Sequence, residues 1–115
     1  MMKSATVLLN AHEQRAIRAF HERVHVLMKE DVKSMRLFGS RARGDANEQS
    51  DIDVLVLVAD APASIRGKIY DLSADIFLEY EVALSPLVMS AAQYDDMKAR
   101  ERLLIHEIER DGIAV

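Results

Sequence analysis

The sequence predicts a small α/β or α+β sandwich, and three observations predict it. Residues 51–58 read Asp-Ile-Asp-Val-Leu-Val-Leu-Val, a β-branched and nearly continuous apolar run that marks a strand buried on both faces. Two other stretches repeat apolar residues at helical spacing behind capping-box pairs, Asn10 with Glu13 and Ser90 with Gln93. Strand-like and helix-like stretches alternate in the order α-β-turn-β-α-β-α, which layers helices against one sheet.

The first helix starts at Asn10 and places Ile17, Phe20, Val24, Leu27 and Met28 on one face, ending near Glu30. Ser34 to Phe38 is a short strand of mixed polarity that stops at Gly39-Ser40. A basic turn, Arg41 to Gly44, and a polar loop through Ser50 lead into the apolar strand, with Gly44 expected at positive φ. Asp60-Ala61-Pro62 opens a second helix, whose Ile65, Ile69, Leu72, Ser73 and Ile76 keep helical spacing to about Leu78. Glu81 to Met89 is the third strand, and its Pro86 implies an edge or a bulge because proline cannot donate to a ladder. A single last helix carries Met97, Leu104, Ile105 and Ile108 as far as Gly112, a suitable residue for a left-handed cap.

At 115 residues, a chain buries roughly 65% of its unfolded surface, enough for one core without staples. Half the residues are hydrophobic and 30% are charged, an ordinary folded composition without linker, repeat or low-complexity tract. The net charge of -4 excludes the basic footprint of a general nucleic-acid binder, so any recognition of phosphate is local. Absence of cysteine excludes disulfides and thiolate metal sites and makes the cytoplasm the default compartment. The apolar patch before Asn10 is too brief for an export signal, and no stretch reaches the roughly 18 apolar residues of a membrane span.

The informative stretch is 39–53. Asp51 and Asp53 are two residues apart on a strand, so their carboxylates project together while Ile52 and Val54 face the other way. Two like charges side by side repel unless a cation neutralises them, which makes hard-oxygen ligation of Mg²⁺ the natural use. Gly39 permits close backbone approach, and Ser40 offers a hydroxyl and an N–H where phosphate is favoured. Arg41 and Arg43 lie next to that seat, in reach of phosphate oxygens.

Gly39-Ser40, a ten-residue spacer and Asp51-Ile52-Asp53 resemble the GSx10DxD signature of the polymerase-β-like nucleotidyltransferases, and the string GSRARGDANEQSDIDVLV resembles their minimal branch. The resemblance runs over the whole chain in element order. It implies a mixed sheet flanked by helices. It also implies two Mg²⁺ ions on Asp51 and Asp53, ATP or another nucleoside triphosphate as substrate and pyrophosphate as product. Ser40 and the Gly39 backbone would hold the terminal phosphates, with Arg41 and Arg43 beside them. A third carboxylate belongs on a later strand; here Glu81, as catalytic and metal-binding residue, stands where an aspartate is usual, with Glu79 as the alternative. Minimal members lack an acceptor-binding domain, so the resemblance implies a partner chain, a HEPN-type toxin. The protein would then be an antitoxin that attaches AMP to a toxin tyrosine or blocks the toxin by binding. Two other readings are a degenerate module that binds without turnover, and a transferase for a small hydroxyl compound such as an aminoglycoside.

One further motif competes. His21-Glu22-Arg23-Val24-His25 fits HExxH, which on a helix can place two histidines on Zn²⁺. Both histidines flank a helix whose apolar stripe already explains the fold, and no third ligand suggests itself, so a solvated flank is the expectation. His12 and His106 read as surface residues, the six methionines as core fillers, and Tyr70, Tyr80 and Tyr94 carry no assignment.

Overall fold

Asn10 opens the first helix by the mechanism its spacing predicts. Its side-chain oxygen accepts from the Glu13 N–H at 2.8 Å, and Glu13 Oε1 accepts from the Asn10 N–H at 3.0 Å. In the computed structural model, which describes residues 9–39, 51–100 and 102–115, this helix is α1, Ala11–Met28. It buries Ala16, Ile17, Phe20, Val24 and Met28. Lys29 ends it at φ 53, and a 3-10 turn, Lys29–Asp31, hands the chain to β1, Val32–Phe38.

β2, Ile52–Val58, pairs antiparallel with β1, setting Met35 opposite Val56 and Phe38 opposite Asp53. Ile52, Val54, Val56 and Val58 enter a core shared with α1 and with α2, Ala63–Tyr80. Leu55 enters a separate core with Met89, Ile105 and Ile108. The central strand is thus buried on both faces, as its composition predicts.

α2 begins after Pro62, buries Ile69 and Ile76, and runs two residues past the expected end. The expected third strand therefore starts late. Glu81 is not its first residue but the C-cap of α2, left-handed at φ 57 and ψ 34, with its N–H bonded to Phe77 O at 2.8 Å. Val82 then buries, and β3 spans Leu84–Ser90, parallel to β2.

The sheet order is β3-β2-β1-β4, so β3 is an edge, as Pro86 requires. Its outward backbone groups are closed in turn. Pro86 has no N–H, Val88 O accepts from Arg66 Nη1 at 2.6 Å, and the Ser90 N–H donates to Gln93 Oε1 at 2.9 Å. The last bond belongs to the second capping box, whose other half is Gln93 N–H to Ser90 Oγ at 3.1 Å.

The single last helix is corrected to two, α3 at Ala91–Arg100 and α4 at Arg102–Asp111. α3 lies over β3 and β2 while α4 lies over β1, and the fold-back lets both halves cover one small sheet face. Tyr94 OH and Lys98 Nζ of α3 both reach Glu109 of α4, at 3.2 and 3.0 Å. Gly112 is corrected too, since among the described glycines only Gly39 has positive φ. Its need for no side chain is steric: a Cβ would collide with Ile108 O, whose bond from the Gly112 N–H is 2.7 Å. A short strand absent from the sequence reading, β4 at Ile113–Ala114, then pairs with Arg36 and Leu37.

Candidate active site at the acid end of the sheet

The C-terminal end of β1 and the N-terminal ends of β2 and β3 finish side by side. Phe38, Asp53 and Ser85 lie in one row across these three strands. Residues paired in a ladder share a face, so the Asp53 carboxylate and the Ser85 hydroxyl stand on the same side of the sheet. Two residues further along, Leu55 and Leu87 belong to the α3–α4 core, so Asp53 and Ser85 form the polar end of that apolar face. Phe38 packs against the same core and gives the half-buried Asp53 a fixed backing. Asp51 is exposed, immediately before β2, with the buried Ile52 between the two acids. The Ile52 N–H donates to Ala83 O at 3.0 Å and ties this end of β2 to the entry of β3.

Gly39 completes the geometry. It follows β1 at φ 74, and a Cβ built on it would overlap Asp53 Oδ2 and stand 3.3 Å from Asp53 Cγ. Gly39 and the second acid of the pair are in direct contact, as the signature requires if both serve one ligand. Ser40, Arg41, Arg43 and Gly44 lie outside the described residues.

The candidate third carboxylates take other places. Glu79 and Glu81 are both exposed at the end of α2 and not on a strand face. Glu79 bridges to Arg23 of α1. Among the described residues no three His, Asp or Glu side chains come together as a metal-holding group. The residue abreast of Asp53 is Ser85, which the sequence reading missed. Its one signal is a lone hydroxyl breaking an apolar run, and only the β2–β3 register gives that hydroxyl a place.

Two other features lie apart from the acids. A cleft of about 410 Å³ opens along β3 and α3, but its charged groups are engaged, Arg66 with Val88 O and Gln93, Arg100 with Asp96. On α1, the His21 and His25 rings lie with centroids 4.2 Å apart and planes tilted by 47°. Burial, and then the neighbouring His25, lower the pKa of His21 below the ordinary histidine value. No described helix is long and apolar enough to cross a membrane.

A model of the nucleotidyltransferase domain matches residues 14–110. Two proteins of Methanocaldococcus jannaschii, each named "Putative protein adenylyltransferase", are similar in sequence. One is 32% identical over 86% of this chain and 94% of its own length, the other 35% identical over 69% and 75%. Among solved structures, a toxin-antitoxin with AMP-PNP superposes with a TM-score of 0.56 at 18% identity, covering 83% of this chain and 68% of that one. The toxin-antitoxin MntA-HpeT superposes with a TM-score of 0.57 at 16% identity, covering 92% and 72%. These two likenesses show the fold.

Proposed function

This chain belongs to the nucleotidyltransferase domain family, and from that premise we propose that it is a Mg²⁺-dependent adenylyltransferase that moves AMP from ATP to a hydroxyl of a partner protein. The observation that carries the proposal is the contact of Gly39 with the Asp53 carboxylate, because it supports one shared seat for metal and triphosphate.

The residues fit the ion. Asp51 and Asp53 are hard-oxygen donors at an open strand end, and the space that a Cβ at Gly39 would fill lies against one of them. Mg²⁺ held there supplies neutralisation of the triphosphate and of the departing pyrophosphate. The chain's own part is to orient. Gly39 and Ser40, with Arg41 and Arg43, hold the terminal phosphates, and the rigid β2 end holds the α-phosphate against the acceptor oxygen. The acceptor hydroxyl gives up its proton to solvent, its oxygen bonds to the α-phosphorus, the bond from that phosphorus to the bridging oxygen breaks, and pyrophosphate leaves with that electron pair. Ser85, abreast of Asp53, takes the place where a third carboxylate would be most effective, and Glu81 serves first as a helix cap.

The acceptor we propose is a HEPN-type toxin, modified on a tyrosine, with this chain as its antitoxin in the cytoplasm. The names of the relatives support protein adenylylation, and the toxin-antitoxin neighbours support a dedicated partner. A second reading, neutralisation by binding alone, is favoured by one observation: neither Glu79 nor Glu81 joins the acid pair. Incubation with α-labelled ATP, Mg²⁺ and the toxin separates the two. Label on the toxin that disappears with Asp53→Asn supports the enzyme; toxin neutralised without label, in wild type and Asp53→Asn alike, supports the binding module.

A further inference from the structure

One flank of α1 carries two metal-binding side chains that its packing does not use. His21 and His25 are four residues apart, so both rings leave the same side of the helix on consecutive turns. The stripe of Ile17, Phe20, Val24 and Met28 seats α1 on the core without them. His21 is half-buried at the border of that stripe, and His25 is exposed. α1 covers the face of the sheet that carries Ile52 and Val54, whereas Asp53, between them on β2, belongs to the opposite face. The pair and the acid site are therefore on different sides of the sheet.

The two rings are disposed as ligands of one ion. Side chains at this spacing leave a helix with Cβ atoms about 5–6 Å apart, yet the ring centroids are 4.2 Å apart. The rings thus lean toward each other. Their planes are tilted by 47°, whereas ring–ring attraction alone favours offset-parallel or edge-to-face planes. An ion lies in the plane of each imidazole that ligates it, so two rings can share an ion only where their planes intersect. Tilted planes intersect; parallel ones do not. With metal–nitrogen bonds of about 2.0–2.1 Å, two imidazoles on one ion have centroids roughly 4.5–5 Å apart. A small rotation of each side chain, opening the pair by about 0.5 Å, meets that condition.

We propose that His21 and His25 chelate one divalent transition cation, Zn²⁺ or Cu²⁺, through one ring nitrogen each, with water completing the coordination. Imidazole is the commonest protein ligand for such ions and suits them better than it suits Mg²⁺. Among the described residues no third His, Asp or Glu joins the pair, so this is an open site with two protein ligands and not the three-ligand centre of a zinc hydrolase. Arg18, Glu22 and Lys29, the formal charges on this flank, are all exposed, so water screens them from a bound ion. The ion ties two consecutive turns of α1 together, a geometry the unfolded chain lacks, and so stabilises the folded state. The site stands apart from the transferase reading, since binding and not transfer reports it.

The test is calorimetric titration of the whole chelator-treated chain with Zn²⁺ alone, in excess Mg²⁺. The expected result is one Zn²⁺ per chain with a dissociation constant on the order of 10 µM. His21→Gln and His25→Gln, which circular dichroism should show to be folded, each weaken binding by about tenfold or more, while Glu22→Gln and His12→Gln stay within about twofold of wild type. Zn²⁺ raises the thermal midpoint of the wild type and leaves that of either His21→Gln or His25→Gln unchanged. Cu²⁺ binds more tightly than Zn²⁺, and its electron paramagnetic resonance spectrum shows two nitrogen ligands in the wild type and one in either variant. A chain without saturable Zn²⁺ binding up to about 1 mM overturns the proposal. So does binding indifferent to both histidine substitutions. Binding lost with Asp53→Asn but kept in both histidine variants also overturns it and assigns the ion to the acid pair.

Discussion

The backbone of Gly39 lies directly against the carboxylate of Asp53, leaving no room for a Cβ. Any side chain at 39 would have to displace the acid or abandon φ 74. The candidate-site end of the sheet is built on that approach, since β1 delivers the glycine and β2 the acid from paired positions one residue apart.

Gly39→Ala is therefore expected to act on stability and catalysis together. Left-handed backbone costs a non-glycine residue roughly 1–2 kcal/mol, and pushing Asp53 aside misplaces a ligand of the proposed metal. Stability to urea should fall by about 1–3 kcal/mol and AMP transfer by roughly 100-fold. Transfer at the wild-type rate in this variant would show that Gly39 and Asp53 do not serve one ligand.

Ser85→Asp tests what stands beside Asp53. The β2–β3 register sets the new carboxylate on the same face as Asp53. Without metal, adjacent like charges should lower stability by on the order of 0.5 kcal/mol. With Mg²⁺ the added oxygen ligand should reduce the half-saturating concentration for transfer roughly tenfold. A titration of transfer rate against Mg²⁺ in both proteins reads the difference. An unchanged titration would place Ser85 away from the ion.

Glu81 holds a left-handed cap at φ 57, a conformation that glycine adopts without strain. Glu81→Gly should raise stability by about 1 kcal/mol, seen as a higher urea midpoint. Glu81→Gln keeps the backbone cost and removes the charge. Its transfer rate is expected within about twofold of wild type, whereas a loss as large as that of Asp53→Asn would return Glu81 to the metal set.

What could be read along the chain was local. Asn10 with Glu13 and Ser90 with Gln93 are three residues apart, so their capping boxes are written in adjacent letters and both form. The burial of β2 on two faces follows from its composition, and the edge position of β3 follows from one proline. What escaped depends on partners far away in sequence. Ser85 comes abreast of Asp53 only through a parallel register closed across an intervening helix of 18 residues. β4 is two residues long and exists by pairing with Arg36 and Leu37. The division of the last helix follows from how much sheet there is to cover, which the apolar spacing of Met97, Leu104, Ile105 and Ile108 does not state.

Arg66 guards the exposed edge. Its guanidinium joins Ala61 O at 3.0 Å, Val88 O at 2.6 Å and the Gln93 side chain, linking the start of α2 to β3 and α3. Arg66→Met keeps the apolar stem but leaves the Val88 carbonyl without this donor. Because charge-assisted bonds contribute about 1.5–3 kcal/mol each and water replaces part of that at a half-buried site, a loss of about 1–3 kcal/mol is expected. The opened edge should also raise light scattering at high concentration, since an unblocked strand edge templates intermolecular pairing. Unchanged stability and unchanged scattering would mean that Pro86 and Gln93 suffice.

The last prediction concerns pH. Burial foremost, and His25 beside it, hold the pKa of His21 below the ordinary value of 6.5, while the unfolded chain keeps that value. As pH falls through 6.5 the unfolded state takes up this proton first, so the folded state loses stability, and the loss stops once pH passes below the folded pKa. The sign is that of a histidine disfavoured when charged: full stability above about pH 7, and less below it. Urea midpoints measured from about pH 7.5 to about pH 5 should decline for the wild type. His21→Gln removes both the proton site and the repulsion from His25, and its midpoint should fall less over the same interval. Because His21 is only partly buried the difference is small, so it must be read as a change of slope in paired titrations. Equal slopes for the two proteins would remove His21 from the acid response of this fold.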